Sequence, residues 1–348
     1  MKTFRIMRKT LLVLMLCAVV IVPAAASTGA PDWQNFNWLQ TLPLLGIGGL
    51  VVNEQALASL KINFMTLFNQ ARAAYKPLWT AGGMEVPSTT SLNTYAWMEA
   101  FPKMREWIGD RQFKALKANA YNIVNKTYES SVYVPRESVE DDQYGLYGPM
   151  ISAMGMSAEA LWDDLFFALL NNGFTGLSYD GKAFFATNHA SGLNKISGGG
   201  STLATAGAYG SGIKYLKSVV DSEGKPMLTG NERPTLWVPP ALEETGRILL
   251  NADYVSVTGG STQNNPWKNS ADLVVASKLT SATAWFLSID FMGIKPFIVQ
   301  KRRVPDFRAI TDPNDASVRK SNNFEYIADA RGNAGYGLHQ FAFGSVGA

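Results

Sequence analysis

Apolar residues recur at three- and four-residue spacing from Asn53 onward: Leu57, Leu60, Phe64, Leu67, Ala71 and Tyr75 form one stripe. Asn53 can cap the start and Pro77 bars continuation, so the spacing predicts an amphipathic helix with one face to bury. Between Met84 and Pro135 the pattern turns to extended segments and turns, and Tyr128 to Val134 reads as a strand stopped by Pro135. Residues 137–172 read as a long helix interrupted in its first half by Gly145, Gly148, Pro149 and Gly155. Its second half has Ser157 as cap, Glu159 in the first turn, an apolar stripe of Leu161, Leu165, Ala168 and Leu169, and Gly173 as C-terminal stop.

Residues 197–212 are rich in Gly, Ser, Ala and Thr and read as an exposed loop or boundary. Helix and strand then alternate: a short helix over 213–220, a strand over 235–238, a helix over 240–250 and a strand over 272–276, with 257–270 as a projecting loop. The end is mostly strand. Segments 284–289 and 294–304 flank a tight turn at Met292 and Gly293, and 324–327 and 336–343 follow. There is no internal repeat.

The extended region carries Trp97, Phe101, Trp107, Phe113, Tyr121, Tyr128 and Tyr133 among charges, with few aliphatic residues to build a core of its own. These rings must pack elsewhere, on a partner chain or on the rest of the same subunit. Upstream, the positive residues Lys2, Arg5, Arg8 and Lys9 precede the apolar run Leu11 to Val22, and Pro23 to Ser27 offers an Ala-x-Ala cleavage pattern. Residues 1–26 match a secretory signal peptide, and 27–50 read as a linker or arm. Twelve apolar residues rise only about 18 Å as a helix, short of a bilayer core of roughly 30 Å.

The chain has 348 residues, 47% hydrophobic and 17% charged, which is globular composition. Formal net charge is +3, with 31 basic and 28 acidic residues; without the four leader cations, 27 basic face 28 acidic. That balance supplies no basic surface for strong non-specific nucleic-acid binding. Cys17 is the lone cysteine and there are two histidines, which excludes an intrachain disulfide and a cysteine zinc site. Nucleophile elbow, Walker loop and dinucleotide fingerprint are all missing. His189 near Asp180 and Asn188 reads as a hydrogen-bonded turn histidine and His339 as structural. The acids Glu137, Glu140, Asp141 and Asp142 read as helix N-terminal charge rather than a cation site. Lys301, Arg302 and Arg303 alternate along a strand, so they cannot form one flat patch and read as partners for carboxylates of a neighbouring element or subunit. No catalytic, cofactor or metal site emerges, and the chain reads as a non-enzyme whose function lies in its surfaces.

The order of several motifs is more specific than any one of them. Tyr95 and Trp97 are followed by Phe101, Pro102, Arg105, Glu106, Trp107, Gly109, Asp110 and Arg111, then by Val134, Pro135 and Arg136 with Glu140, Asp141 and Asp142. Asp180 and Gly181 with Phe184, Phe185 and His189 come next, and Ile294, Pro296, Arg302, Arg303 and a glycine-rich run from Asp329 through Arg331 and Gly335 to Gly337 close the set. Over residues 51–348 the chain resembles the Mu-like phage major head subunit family. The resemblance implies an α+β chain of the Hong Kong 97-type capsid fold. It implies an N-terminal arm at 51–90, an extended loop at 91–134 that laps a neighbouring subunit, and a peripheral domain at 135–190 with a long spine helix. An axial domain at 191–282 and return strands of the peripheral domain at 283–348 complete it, with residues 1–50 a signal-like leader and linker outside the family pattern.

The implied function is a major capsid protein of a Mu-like tailed phage or prophage, self-assembling into pentamers and hexamers of an icosahedral shell around double-stranded DNA without sequence-specific binding. It would be assembled in the host cytoplasm, reside in the virion, use no cofactor or membrane, and meet scaffold, portal and decoration proteins. Expected inter-subunit contacts are Trp97, Phe101 and Trp107 as apolar anchors, Arg105, Glu106 and Arg111 as orienting charges, and Arg302 and Arg303. Two alternatives stand beside it: an encapsulin-like compartment shell, and an exported hydrolase or binding protein that takes the leader at face value. The leader conflicts with cytoplasmic assembly. Translation from a non-ATG codon at Leu50 removes the conflict, and an extension tucked inside the shell is the other resolution. With a start at Leu50, N-terminal sequencing of assembled particles is expected to begin there; finding Met1 or Ser27 excludes it.

Overall fold

The computed structural model describes residues 54–97, 119–141, 147–198, 200–203, 206–220, 224–256 and 262–347. All of them belong to the second of two units, 1–48 and 49–348, so the leader, the linker and the Asn53 cap lie outside the described residues. Helix α1 (Glu54–Ala74) buries Leu57, Leu60 and Phe64 of the expected stripe together with Phe68, which the stripe left out, while Leu67 and Ala71 are only partly buried and Tyr75 lies past its end. Strands β1 (Gly83–Pro87), β2 (Leu92–Trp97), β3 (Asn119–Val124) and β4 (Lys126–Pro135) follow, then the short helix α2 (Arg136–Glu140) and the long helix α3 (Gly148–Asn172).

The single interrupted helix expected over 137–172 is therefore two helices. Pro149 sits in the first turn of α3, where its missing N–H costs nothing. Ser157, expected as a cap, lies inside α3, and Gly155 interrupts nothing. A Cβ on Gly155 would lie 2.4 Å from the Phe68 carbonyl oxygen of α1, so glycine there lets the two helix backbones touch. That contact outweighs the roughly 1 kcal/mol of helix propensity glycine forfeits. The buried stripe of α3 is Trp162, Asp163, Phe166, Phe167 and Leu170, while Leu161, Leu165 and Leu169 are only partly buried. Gly173 keeps right-handed backbone at φ −63°; its lack of a side chain admits Phe185, whose ring would meet a Cβ at 2.6 Å.

The remaining elements are β5 (Lys195–Ile196), α4 (Ala206–Lys217), β6 (Thr235–Val238), α5 (Glu243–Asn251), β7 (Tyr254–Ser256), β8 (Thr262–Asn264), β9 (Asp272–Val275), β10 (Trp285–Ser288), β11 (Phe297–Ile310), α6 (Ala316–Ser321), β12 (Asn323–Tyr336) and β13 (Ala342–Ser345). Helix α4 begins inside the stretch expected to be a loop. Its small residues serve packing, because a Cβ on Gly210 would meet Trp267 at 2.8 Å and one on Gly212 would meet Leu287 at 2.8 Å. Part of the expected projecting loop is β8, which pairs antiparallel with β7.

Two sheets organise these strands. One has the order β1-β11-β12-β4, with β1 parallel to β11 and the other pairs antiparallel; the second has the order β5-β13-β10-β6-β9. Met292 and Gly293 make the expected tight turn, with φ of 53° and 84° and a bridge from Phe291 to Ile294. The strands on either side do not pair, however, since β10 belongs to the second sheet and β11 to the first. The closing segment thus feeds both sheets, and β10 and β13 share theirs with β6 and β9. Helices α1 and α3 pack on one face of the first sheet around Phe64, Phe68, Phe307, Phe324 and Tyr326. The second sheet is covered on both faces. Trp285 and Leu287 enter one core with α4 and α5, and Phe286 and Trp237 enter another with α3.

Asp163 is fully buried midway along α3, and it is satisfied there. Its carboxylate accepts the Tyr75 hydroxyl at 2.6 Å and the backbone N–H groups of Leu78 at 3.0 Å and Trp79 at 2.7 Å. It thereby caps the 3₁₀ turn Trp79–Ala81 and ties the exit of α1 to α3. Burial, with Asp163 close by, raises the Tyr75 phenol above its ordinary value and keeps it a donor. Asp163→Ala strands these donors and is expected to cost about 3 kcal/mol, read as a lower urea midpoint at unchanged m-value.

Candidate functional site

Strands β2 and β3 form an isolated two-stranded hairpin, Leu92 opposite Val124 and Trp97 opposite Asn119. Two strands alone are marginal in water, and a buried polar network at the root compensates. Gln300 on β11, wholly buried, donates to Asn125 Oδ1 at 2.6 Å and accepts the Tyr95 hydroxyl at 2.8 Å. Asn125 donates to Ser88 Oγ and the Thr90 carbonyl, both at 2.8 Å, and Ser88 donates to Asn93 Oδ1 at 2.9 Å. Burial raises the Tyr95 phenol above its ordinary value, which keeps its proton available for Gln300. On the other side Asn333 donates to the Val124 carbonyl at 2.8 Å, and Gly335 leaves room for Ile123 and Tyr121. The root of the hairpin is therefore locked to β11 and β12.

Of the expected contact residues, Trp97 is the last residue of β2, and Phe101, Arg105, Glu106, Trp107 and Arg111 lie outside the described residues, between β2 and β3. Arg302 and Arg303 fall where the β11–β12 register shifts, so strict alternation is broken there. Lys301 pairs with Glu85 at 2.9 Å and lies 4.8 Å from the Trp79 ring centre. Arg303 pairs with Asp329 at 2.6 Å, while Arg302 has no ion pair among the described residues. Of the four acids expected at a helix start, Glu137 and Asp141 are exposed at α2, Glu140 ends α2, and Asp142 lies outside the described residues.

The two histidines, far apart in sequence, are stacked with ring centres 3.8 Å apart and 14° between planes. His189 Nδ1 donates to Asp180 at 2.6 Å, and its Nε2 faces the Phe184 carbonyl at 3.3 Å. His339 Nε2 meets the Ser191 hydroxyl at 3.1 Å, and its Nδ1 is buried without a partner. Donor atoms of Asp180, His189 and His339 lie within 4.8 Å of one another. The rings are parallel, though, so their in-plane lone pairs cannot converge on one ion, and Asp180 is already engaged by His189. This is a hydrogen-bonded stack that pins the segment around Asp180 to the turn His339–Phe341. Burial pushes the Asp180 carboxyl up, but hydrogen bonds from His189 and the Lys182 amide outweigh that and hold it below the usual carboxylate range. Burial, reinforced by the neighbouring His189, holds His339 at about 3.

The family model for the Mu-like prophage major head subunit gpT matches residues 57–202 and 276–348. The chain belongs to the Mu-like prophage major head subunit gpT family. It is 30% identical over 291 residues to the Mu-like prophage FluMu major head subunit of Haemophilus influenzae, covering 84% of this chain and 73% of that one. It is also 30% identical to the major capsid protein of Escherichia phage Mu, over 74% of this chain and 63% of that one. In fold it matches a chain of the procapsid of bacteriophage JBD30 at a TM-score of 0.53 and 29% identity, over 84% of this chain and 76% of that one.

The match to the gpT family includes the clamped hairpin. Both stretches matched by the family model contribute to its root: Ser88, Tyr95 and Asn125 come from the first, Gln300 and Asn333 from the second. The gap in the match, 203–275, holds α4 through the end of β9. The family is one of structural head subunits, so the expectation of a non-enzyme agrees with it, and the exported-hydrolase alternative loses its support. Among the described residues no helix is long and apolar enough to cross a membrane.

The histidine stack makes stability depend on pH. His339 has a lower pKa folded than its unfolded value of roughly 6.5, so the unfolded chain takes up the proton first. Its contribution is complete above pH 6.5 and is lost as pH falls toward 3, at up to about 1.4 kcal/mol per pH unit. Asp180, whose folded pKa is depressed, loses its contribution only below roughly pH 4. His339→Phe is expected to flatten the urea midpoint between pH 6.5 and 4.5, whereas the parent chain should lose stability steadily over that range.

Proposed function

We propose that this chain, as a major capsid protein, closes into pentamers and hexamers of an icosahedral shell that encloses double-stranded DNA. The observation that carries the reading is the β2–β3 hairpin. Its root is locked by Gln300, Asn125 and Ser88, and the residues it spans include Phe101, Arg105, Glu106, Trp107 and Arg111. A rigid root aims a segment rich in rings and charges, and a neighbouring subunit completes it. In this reading 51–90 is the N-terminal arm, 91–134 the extended loop, 135–190 the peripheral domain with α3 as spine, 191–282 the axial domain and 283–348 the return. Identical subunits then meet head to tail and the rotation closes into rings. Each contact of standard size buries about 800 Å² per partner, and several per subunit make the shell cooperative.

DNA is enclosed rather than read, in keeping with a body of nearly balanced charge. Scaffold, portal and decoration proteins are the further partners of such a shell, which is assembled in the host cytoplasm and resides in the virion. The test is expression of residues 50–348 followed by sedimentation and electron microscopy, with closed particles as the expected result. Joining Trp97 to Asn119 through a short Gly-Ser turn should leave a folded subunit with the parent melting temperature and no particles. A parent chain that stays single at high concentration, or particles at parent yield without 98–118, would contradict the reading.

A further inference from the structure

The chain passes between the two sheets three times: through 173–194, which leads from α3 to β5, through 289–296 between β10 and β11, and through 337–341 between β12 and β13. The last two crossings are joined by backbone hydrogen bonds, from the Gly337 N–H to the Pro296 carbonyl at 2.8 Å and from the Ile289 N–H to the Phe341 carbonyl at 2.9 Å. The first is held differently. Phe184 and Phe185 are buried in the core, and Asn194 donates its side-chain amide to the Phe184 carbonyl at 2.8 Å and the His339 carbonyl at 3.2 Å. Between these anchors, residues 187–193 form a surface strap in which His189 alone is buried, and Leu193 is exposed. The strap therefore reaches the third crossing through two contacts, the His189 ring stacked on His339 and the Ser191 hydroxyl beside His339 Nε2.

Both contacts require a neutral His339. Its Nδ1 is buried without a partner and the His189 ring lies 3.8 Å away, so the second proton of an imidazolium would have no acceptor and its charge would sit against another ring. The groups around it offer no relief. Asp180 is engaged by His189, Lys182 donates to the Asn188 carbonyl of the strap and brings a positive charge, and Tyr179 and Tyr215 supply only phenols. We infer that 187–193 is an acid-released strap: when His339 takes up a proton, the strap lifts from the turn His339–Phe341 and the joint between the first and third crossings loosens while both sheets stay folded. The device belongs to the single subunit, assembled or not. The closed strap excludes the proton and the open one admits it, so closure is strongest above the ordinary histidine value of roughly 6.5, and opening rises up to tenfold for each pH unit below that. His339 held at about 3 in the closed form leaves the whole range from pH 6.5 to 4.5 inside this window.

Hydrogen exchange on the full chain tests this at the Gly192 amide, which bonds to the His189 carbonyl at 3.1 Å within the strap. Its protection, corrected for the intrinsic exchange rate, is expected to fall at least tenfold between pH 7 and pH 5. The fall should be indifferent to urea below the unfolding transition, because a strap exposes little surface when it opens. In His339→Phe the pH dependence is expected to vanish. Should that variant fail to fold, His339→Gln, which keeps a polar group toward Ser191 and does not titrate, carries the same expectation. Protection that does not change with pH, or a fall that survives in the variant, would overturn the proposal. A fall with the urea slope of the α1 amides would do so as well, because exchange would then run through global unfolding rather than through the strap.

Discussion

Helix α3 is the element on which the rest of the structure leans, because three separate packing problems are solved along its length. Near its start Ile151, Met154 and Gly155 receive α1 on the first sheet. Asp163 then captures the chain as it leaves α1, with Trp162 next to it under β12. Phe166, Phe167 and Leu170 finish in the core shared with the second sheet. A shift of this helix would strand a buried carboxylate and open two cores together. Mechanical coupling between the two sheets follows from that geometry.

The hairpin is the complementary case. Its hydrophobic anchorage is confined to Ile123 and Tyr121, which pack over Gly335, while Leu92 and Val124 are exposed. Its angle is set in addition by side-chain amides buried between it and the long strands. Buried amides are directional, so they fix an angle as well as a place, at the cost of requiring every partner to be present.

Local elements whose signals are periodic or sterically forced are legible along the chain. The first half of the α1 stripe, β4 ended by Pro135, β6, β9 and the turn at Met292 and Gly293 appear where the pattern puts them. The ordered motif set also carried the family, which no single residue does. What the sequence could not convey were the contacts between residues distant in the chain. Glycines at 155, 210 and 212 look like breaks, yet they sit inside helices because a partner's backbone or ring occupies the space a side chain would fill. The Gln300–Asn125 clamp and the stack of His189 on His339 join residues more than a hundred positions apart. The pairing of β11 with β12 rather than β10 was likewise invisible, as each apolar run fits either sheet locally. Tertiary structure alone decides these, because spacing along the chain reports which face of an element is buried and never what buries it.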